Sequence, residues 1–245
     1  MVTSFPRRWH VCLAIVLAAT LLGLQALSTA DTKADSSARS FRGQEIGQSN
    51  YGSGAVIGTS QPYTGGHSSF ELIRSANYVP GGQSMVQTGW TMQPACGNKT
   101  AVFWEYANPA IGYVNSCTTY YPTGDKSYYN EYDGNTGYWS HGYQGYVIHS
   151  ELASQTSFAQ ASVVTAYGET DYTSKNVQMG GPTSSQAIYL SNIKYKPGTT
   201  TPPSGWNYIK TAGNSYATCG DSPCPYGYNW GFAATVLYTY NWTNP

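Results

Sequence analysis

From Tyr51 onward, apolar residues recur at every second position in short runs, and Gly, Pro or Asn closes each run. A period of two places alternate side chains on opposite faces of a strand, so this pattern specifies strands and turns. It predicts strands over residues 53–58, 68–77, 84–93, 100–107, 143–150, 160–169, 186–195 and 232–240. No stretch carries a helical stripe. Short antiparallel strands in this number favour an all-β, two-sheet antiparallel β-sandwich of jelly-roll type.

Composition supports that class. The 245 residues include 27 Gly, 13 Pro and 23 Tyr, and 15% of the chain is aromatic. Such aromatic content must be buried or must bind something. Twelve basic residues balance twelve acidic ones, which excludes a basic nucleic-acid surface.

At the N-terminus, Arg7 and Arg8 precede an apolar run from Val11 to Leu27 that ends in Ser28-Thr29-Ala30. A basic head, a short apolar body and small residues at the end have the form of a signal peptide, cleaved after Ala30. The mature chain would be secreted, with net charge −2 and no membrane segment. Residues 31–50 are rich in Ser, Asp and Gln and read as a flexible lead or a short pro-segment. The sandwich then occupies 51–196, a Pro/Thr-rich linker 197–205, and a C-terminal extension packed on the sandwich 206–245.

Four cysteines remain after export: Cys96, Cys117, Cys219 and Cys224. An even set in an oxidising compartment predicts two disulfides. Three pairings are possible, and short local loops favour Cys96 with Cys117 and Cys219 with Cys224. His67, His141 and His149 show no metal-ligand spacing, so neither a metal nor another cofactor is expected. Tyr132-Asp133-Gly134-Asn135 reads as a β-turn rather than a calcium loop.

Parity within the strands assigns side chains to faces. Over 84–93, Val86, Thr88, Trp90 and Met92 share one face, expected to be core, while Gln87 and Thr91 share the other beside Gly89, which would leave room for a ligand backbone. Over 160–169, Val163, Thr165, Tyr167 and Glu169 point together. Over 100–107, Val102, Trp104 and Tyr106 alternate with Phe103 and Glu105. Nucleophile-elbow, phosphate-loop and dinucleotide signatures are absent from the sequence. Glu105, Glu151, Glu169 and Asp171 supply enough carboxylates for a glycosidase, but their spacing does not single out a pair.

Several short motifs carry a family resemblance. Gly54-Ala55-Val56-Ile57, Ser69-Phe70-Glu71-Leu72-Ile73-Arg74, Val86-Gln87-Thr88-Gly89-Trp90, Ala101-Val102-Phe103-Trp104-Glu105-Tyr106 and Cys117 resemble the neprosin domain of glutamic peptidases in order and spacing. Tyr167-Gly168-Glu169, Gln178-Met179-Gly180-Gly181 and 187–193 resemble its second half. The resemblance implies a secreted, acid-acting peptidase that uses no metal. It puts one catalytic glutamate on Glu169 and the other on Gln87. A glutamine cannot take a proton, but the related eqolisins use a Gln and Glu pair, and Gln87-Thr88-Gly89 with Trp104-Glu105-Tyr106 is similar to their first motif.

In that chemistry Glu169 removes a proton from water and Gln87 stabilises the oxyanion, with Trp104, Tyr106 and Tyr167 as groove walls for a peptide or protein substrate. The chain would act as a monomer. A different function fits the same composition: a non-catalytic sandwich that binds polysaccharide through exposed Tyr and Trp.

Overall fold

A computed structural model describes residues 39–171, 177–180, 187–199, 205–218, 226–230 and 236–241. Fifteen strands are described: β1 (Ser40–Asn50), β2 (Gly52–Ile57), β3 (Ser69–Val79), β4 (Gly82–Met92), β5 (Thr100–Asn108), β6 (Gly112–Cys117), β7 (Lys126–Asp133), β8 (Tyr138–Tyr143), β9 (Tyr146–Leu152), β10 (Ala161–Thr170), β11 (Ile188–Tyr195), β12 (Asn207–Tyr208), β13 (Asn214–Thr218), β14 (Tyr226–Trp230) and β15 (Val236–Asn241). The described helices are one 3₁₀ turn, Pro94–Cys96, and one short helix, α1 (Ala153–Thr156).

The strands form two antiparallel sheets. The first runs β13-β1-β10-β3-β4-β5-β6, and the second runs β14-β15-β11-β2-β7-β8-β9 with β12 paired to β11. The molecule is therefore the two-sheet antiparallel sandwich that the period-two pattern implies.

Facing sides of the sheets form the core. Ile73, Trp90, Val102, Val164 and Ala166 of the first sheet pack on Ala55, Ile57, Tyr128, Leu190 and Ile193 of the second. Burying a side chain of this kind contributes about 1.5–3 kcal/mol. Trp90 satisfies its one polar atom there, with Nε1 donating to Gly58 O at 2.8 Å. A second cluster joins Val86 and Tyr106 to Trp139, Phe158 and Ala161. Parity then directs the alternate residues of β1, β3, β4, β5, β6 and β10 to the outer face of the first sheet.

The lead expected over 31–50 is corrected from Ser40 onward. Residues 40–50 are strand β1, inserted between β13 and β10, with Phe41 opposite Glu169 and Glu45 opposite Thr165. Gly43 and Gly47 obscure its periodicity, and the strand is held by ladder hydrogen bonds on both edges. C-terminal residues also join the sheets, β13 pairing with β1 and β15 with β11. Cys96 and Cys117 form a disulfide with Cα atoms 5.9 Å apart. The signal segment 1–30, residues 31–38, linker residues 200–204, and Cys219 with Cys224 lie outside the described residues.

Candidate active site

Directly opposite residues in an antiparallel ladder project to the same face, so the register alone lays out a line of polar groups. Glu45 of β1 faces Thr165 of β10, Thr165 faces Arg74 of β3, and Arg74 faces Gln87 of β4. Gln87 in turn faces Glu105 of β5, and Glu105 faces Asn115 of β6. Six consecutive strands each contribute one polar side chain to this row. Tyr167 and Glu169 share the row's face, two and four residues beyond Thr165 on β10.

Hydrogen bonds convert the row into a connected site. Gln87 Nε2 donates to Glu105 Oε1 at 2.9 Å, and the Tyr167 hydroxyl donates to Gln87 Oε1 at 2.8 Å. Tyr167, two residues before Glu169 on the same face, also helps hold the Glu169 carboxyl down. Asn115 Nδ2 donates to Glu105 Oε2 at 3.0 Å, and Arg39 Nη1 donates to Glu169 Oε1 at 3.2 Å. Glu105 is thus linked through an amide to a phenol on the same strand and face as Glu169. Gln87, Glu105 and Glu169 are 3%, 8% and 5% exposed, so bulk water does not screen them.

This environment separates the two acids. Burial, then the nearby Glu169 charge, pushes Glu105 up to about 8, against the opposing effects of Arg39, Asn115 and Arg74. Burial raises Glu169 as well, but Arg39 first and Arg74 next hold it down. Arg74 is itself enclosed, donating to Thr165 Oγ1 at 3.0 Å and to the Tyr216 hydroxyl at 3.1 Å, with its guanidinium 5.0 Å from the Tyr167 ring centre. Two titratable groups driven apart by their surroundings are the usual basis for dividing acid and base roles.

The structure brings Gln87, Tyr167 and Glu169 together, and it corrects three expectations. Trp104 and Tyr106 point from β5 to the opposite face from Glu105, because neighbouring residues of a strand alternate. They face the second sheet, where Trp104 stacks on His149 with ring centres 3.5 Å apart and Tyr106 joins the Trp139 cluster. Tyr167 is 1% exposed and its hydroxyl is engaged, so it holds Gln87 in place and does not line an open groove. The space beside Gly89 is filled by protein: a Cβ there would lie 2.0 Å from Glu71 O. That glycine permits β3 to approach β4 and offers no room to a ligand backbone.

Sequence reasoning missed Arg39, Arg74 and Asn115 as members of the site. Arg39 precedes β1, whose glycines hide its period-two pattern. Arg74 and Asn115 are identified only by register across Gln87 and Glu105, and the 93–99 connection that sets part of this register has no short-turn signature. The four-residue run at 132–135 does make its turn, with Asn135 N donating to Asp133 Oδ1 at 2.9 Å.

No protein-family model, that of the neprosin domain included, matches the chain, and no curated protein sequence matches it. Solved structures do match in fold. Scytalido-glutamic peptidase with a peptide-based transition state analog aligns with TM-score 0.52 and 9% identity over 82% of this chain and 97% of that one. The same peptidase with a transition state analog inhibitor aligns with TM-score 0.50 and 8% identity over the same shares of the two chains, 82% and 97%. This chain therefore has the sandwich fold of a glutamic peptidase.

Proposed function

We propose that the protein is a secreted glutamic endopeptidase in which Glu169 activates water and Gln87 stabilises the oxyanion. One observation carries the proposal: Gln87 and Glu169, 82 residues apart in sequence, lie on one face of the first sheet beside Tyr167, whose hydroxyl donates to Gln87 Oε1 at 2.8 Å. Ionised Glu169 takes a proton from a bound water as the water oxygen attacks the peptide carbonyl carbon. The carbonyl oxygen gains negative charge and accepts from Gln87, whose amide carries two N–H groups and needs only one for a neighbour within the site. Glu169 then returns the proton to the leaving nitrogen as the C–N bond breaks.

A preorganised amide donor of this kind is worth on the order of 3 kcal/mol of barrier. A carboxylate has about four lone-pair sites, so the Arg39 contact leaves Glu169 able to accept from water. Because Glu169 must be ionised while its neighbours stay neutral, the working range lies below the transition of Glu105 at about 8 and takes in the acid side of neutrality. The Cys96–Cys117 disulfide suits an oxidising, extracellular setting.

Incubation of the purified protein with internally quenched peptides from pH 3 to 9 tests the proposal, and cleavage on the acid side is expected. A second function is favoured by one observation: Tyr120, Tyr121 and Tyr146 are 53%, 55% and 73% exposed, as aromatics that bind glycan would be. Retention on insoluble glycans with no cleavage at any pH would replace the peptidase with that function.

A further inference from the structure

The two hydrogen bonds on the Gln87 amide share a chemical property. Glu105 and Tyr167 can both exchange donor and acceptor roles. A carboxyl accepts when ionised and donates when protonated, and a phenol hydroxyl does either. An amide turned by 180° exchanges its oxygen and nitrogen in nearly the same space. The group Glu105, Gln87, Tyr167 and Glu169 therefore has two arrangements that differ by one proton.

We propose that Glu105 is a positioning residue whose proton sets the orientation of the Gln87 amide, directing the amide N–H groups away from Glu105 and toward the Glu169 end of the site when the proton is present. The proposal rests on the peptidase site described above and assigns that site its pH control.

The contacts in the structure are those that an ionised Glu105 favours. Gln87 Nε2 donates to it at 2.9 Å, and the one proton of Tyr167 is committed to Gln87 Oε1 at 2.8 Å. Protonation makes Glu105 the donor. Gln87 Oε1 turns to accept from it, Nε2 turns to the Tyr167 oxygen, and the Tyr167 proton is released to the Glu169 carboxylate. Both donors then point where negative charge resides or develops.

Asn115 fixes which oxygen carries the proton. Its Nδ2 donates to Glu105 Oε2 at 3.0 Å in either arrangement, so the proton belongs on Oε1, the oxygen that faces Gln87. The other charged and titratable groups around Glu105 come from every neighbouring element: Arg39 before β1, Arg74 on β3, Tyr113 on β6, and Tyr167 and Glu169 on β10. Burial and Glu169 together place the transition of Glu105 at about 8, so the protonated arrangement prevails through the acid range.

Glu105→Gln tests this, because glutamine has the same shape, carries no charge and donates at every pH. Each rate profile is normalised to its own maximum. Wild type should lose activity as pH rises through about 8, and the Glu105→Gln profile should lack that fall. A fall at the same pH in the variant overturns the proposal.

A second measurement does not depend on turnover. The side-chain amide NMR signals of Gln87, assigned by their loss in Gln87→Met, should shift with pH through the same transition in wild type and stay fixed in Glu105→Gln. Titrating signals without peptide cleavage at any pH would remove the peptidase and keep the coupling of Glu105 to Gln87. Cleavage abolished by Glu169→Gln, together with amide signals that ignore Glu105, would do the reverse.

Discussion

Gln87 of β4 and Glu105 of β5 are direct cross-strand partners whose side chains meet at 2.9 Å on the outer face of the first sheet. Their meeting is a consequence of register. A slip of one residue would send Gln87 into the core and bring Val86 or Thr88 outward. The same ladder aligns Arg74 on one side and Asn115 on the other, so the site is built from strand pairing and needs no long loop to assemble it.

Arg39 supplies the cation nearest Glu169, at 3.2 Å, and favours the ionised form of that carboxyl. Removing the cation raises the pH at which Glu169 ionises. In Arg39→Ala the acid limb of the rate profile should move to higher pH, because the carboxylate loses the cation that favours it. An unmoved limb in the pH–rate profile would dissociate Arg39 from the reacting carboxyl.

Glu71 is enclosed between the sheets with the Thr239 hydroxyl on Oε1 and, among the described residues, no partner on Oε2. Burial pushes it from 4.5 up to about 8, so folding favours its protonated form. That contribution to stability is complete below pH 4.5 and is lost as pH rises through about 8. Glu71→Gln, neutral throughout, should therefore match wild type near pH 4 and exceed it at pH 8 by on the order of 4 kcal/mol, about 10 °C in Tm. Equal effects of the substitution at both pH values would contradict this.

The disulfide joins the 3₁₀ turn after β4 to the end of β6, the strand that carries Asn115 and Tyr113. Closing a loop of this length contributes about 3 kcal/mol. Replacing Cys96 and Cys117 together by alanine should lower Tm by roughly 10 °C and reduce the rate through a loosened Asn115. A full rate at temperatures well below the transition would restrict the bond to stability.

Trp104 distinguishes a groove wall from a core residue. It stacks on His149 and lies 5.9 Å from His141, between the sheets. Trp104→Ala should cost about 3 kcal/mol of stability in denaturant unfolding while leaving KM within about twofold. A large rise in KM with intact stability would return Trp104 to the substrate.

Much of the sandwich is legible in the sequence because a strand with one buried face must alternate. All eight predicted strands overlap observed ones, and the parity of Gln87, Tyr167 and Glu169 holds. Four strands between 40 and 143 were not predicted, and their sequences explain why. β1 carries Gly43 and Gly47, β6 is mostly exposed, and in β7 and β8 adjacent aromatics, Tyr128-Tyr129 and Tyr138-Trp139, interrupt the alternation among polar residues. The face given to Trp104 and Tyr106 was chosen from aromatic character, although parity with Glu105 already excludes it. Arg39 and Asn115 depend on pairings between segments that local pattern does not encode.

Glu169→Gln tests the central claim most directly. The substitution preserves shape and removes the only proton-accepting charge assigned to the reaction. With far-UV circular dichroism unchanged, kcat/KM on an internally quenched peptide should fall at least about 1000-fold at the wild-type optimum. Turnover within tenfold of wild type would show that Glu169 does not activate the water.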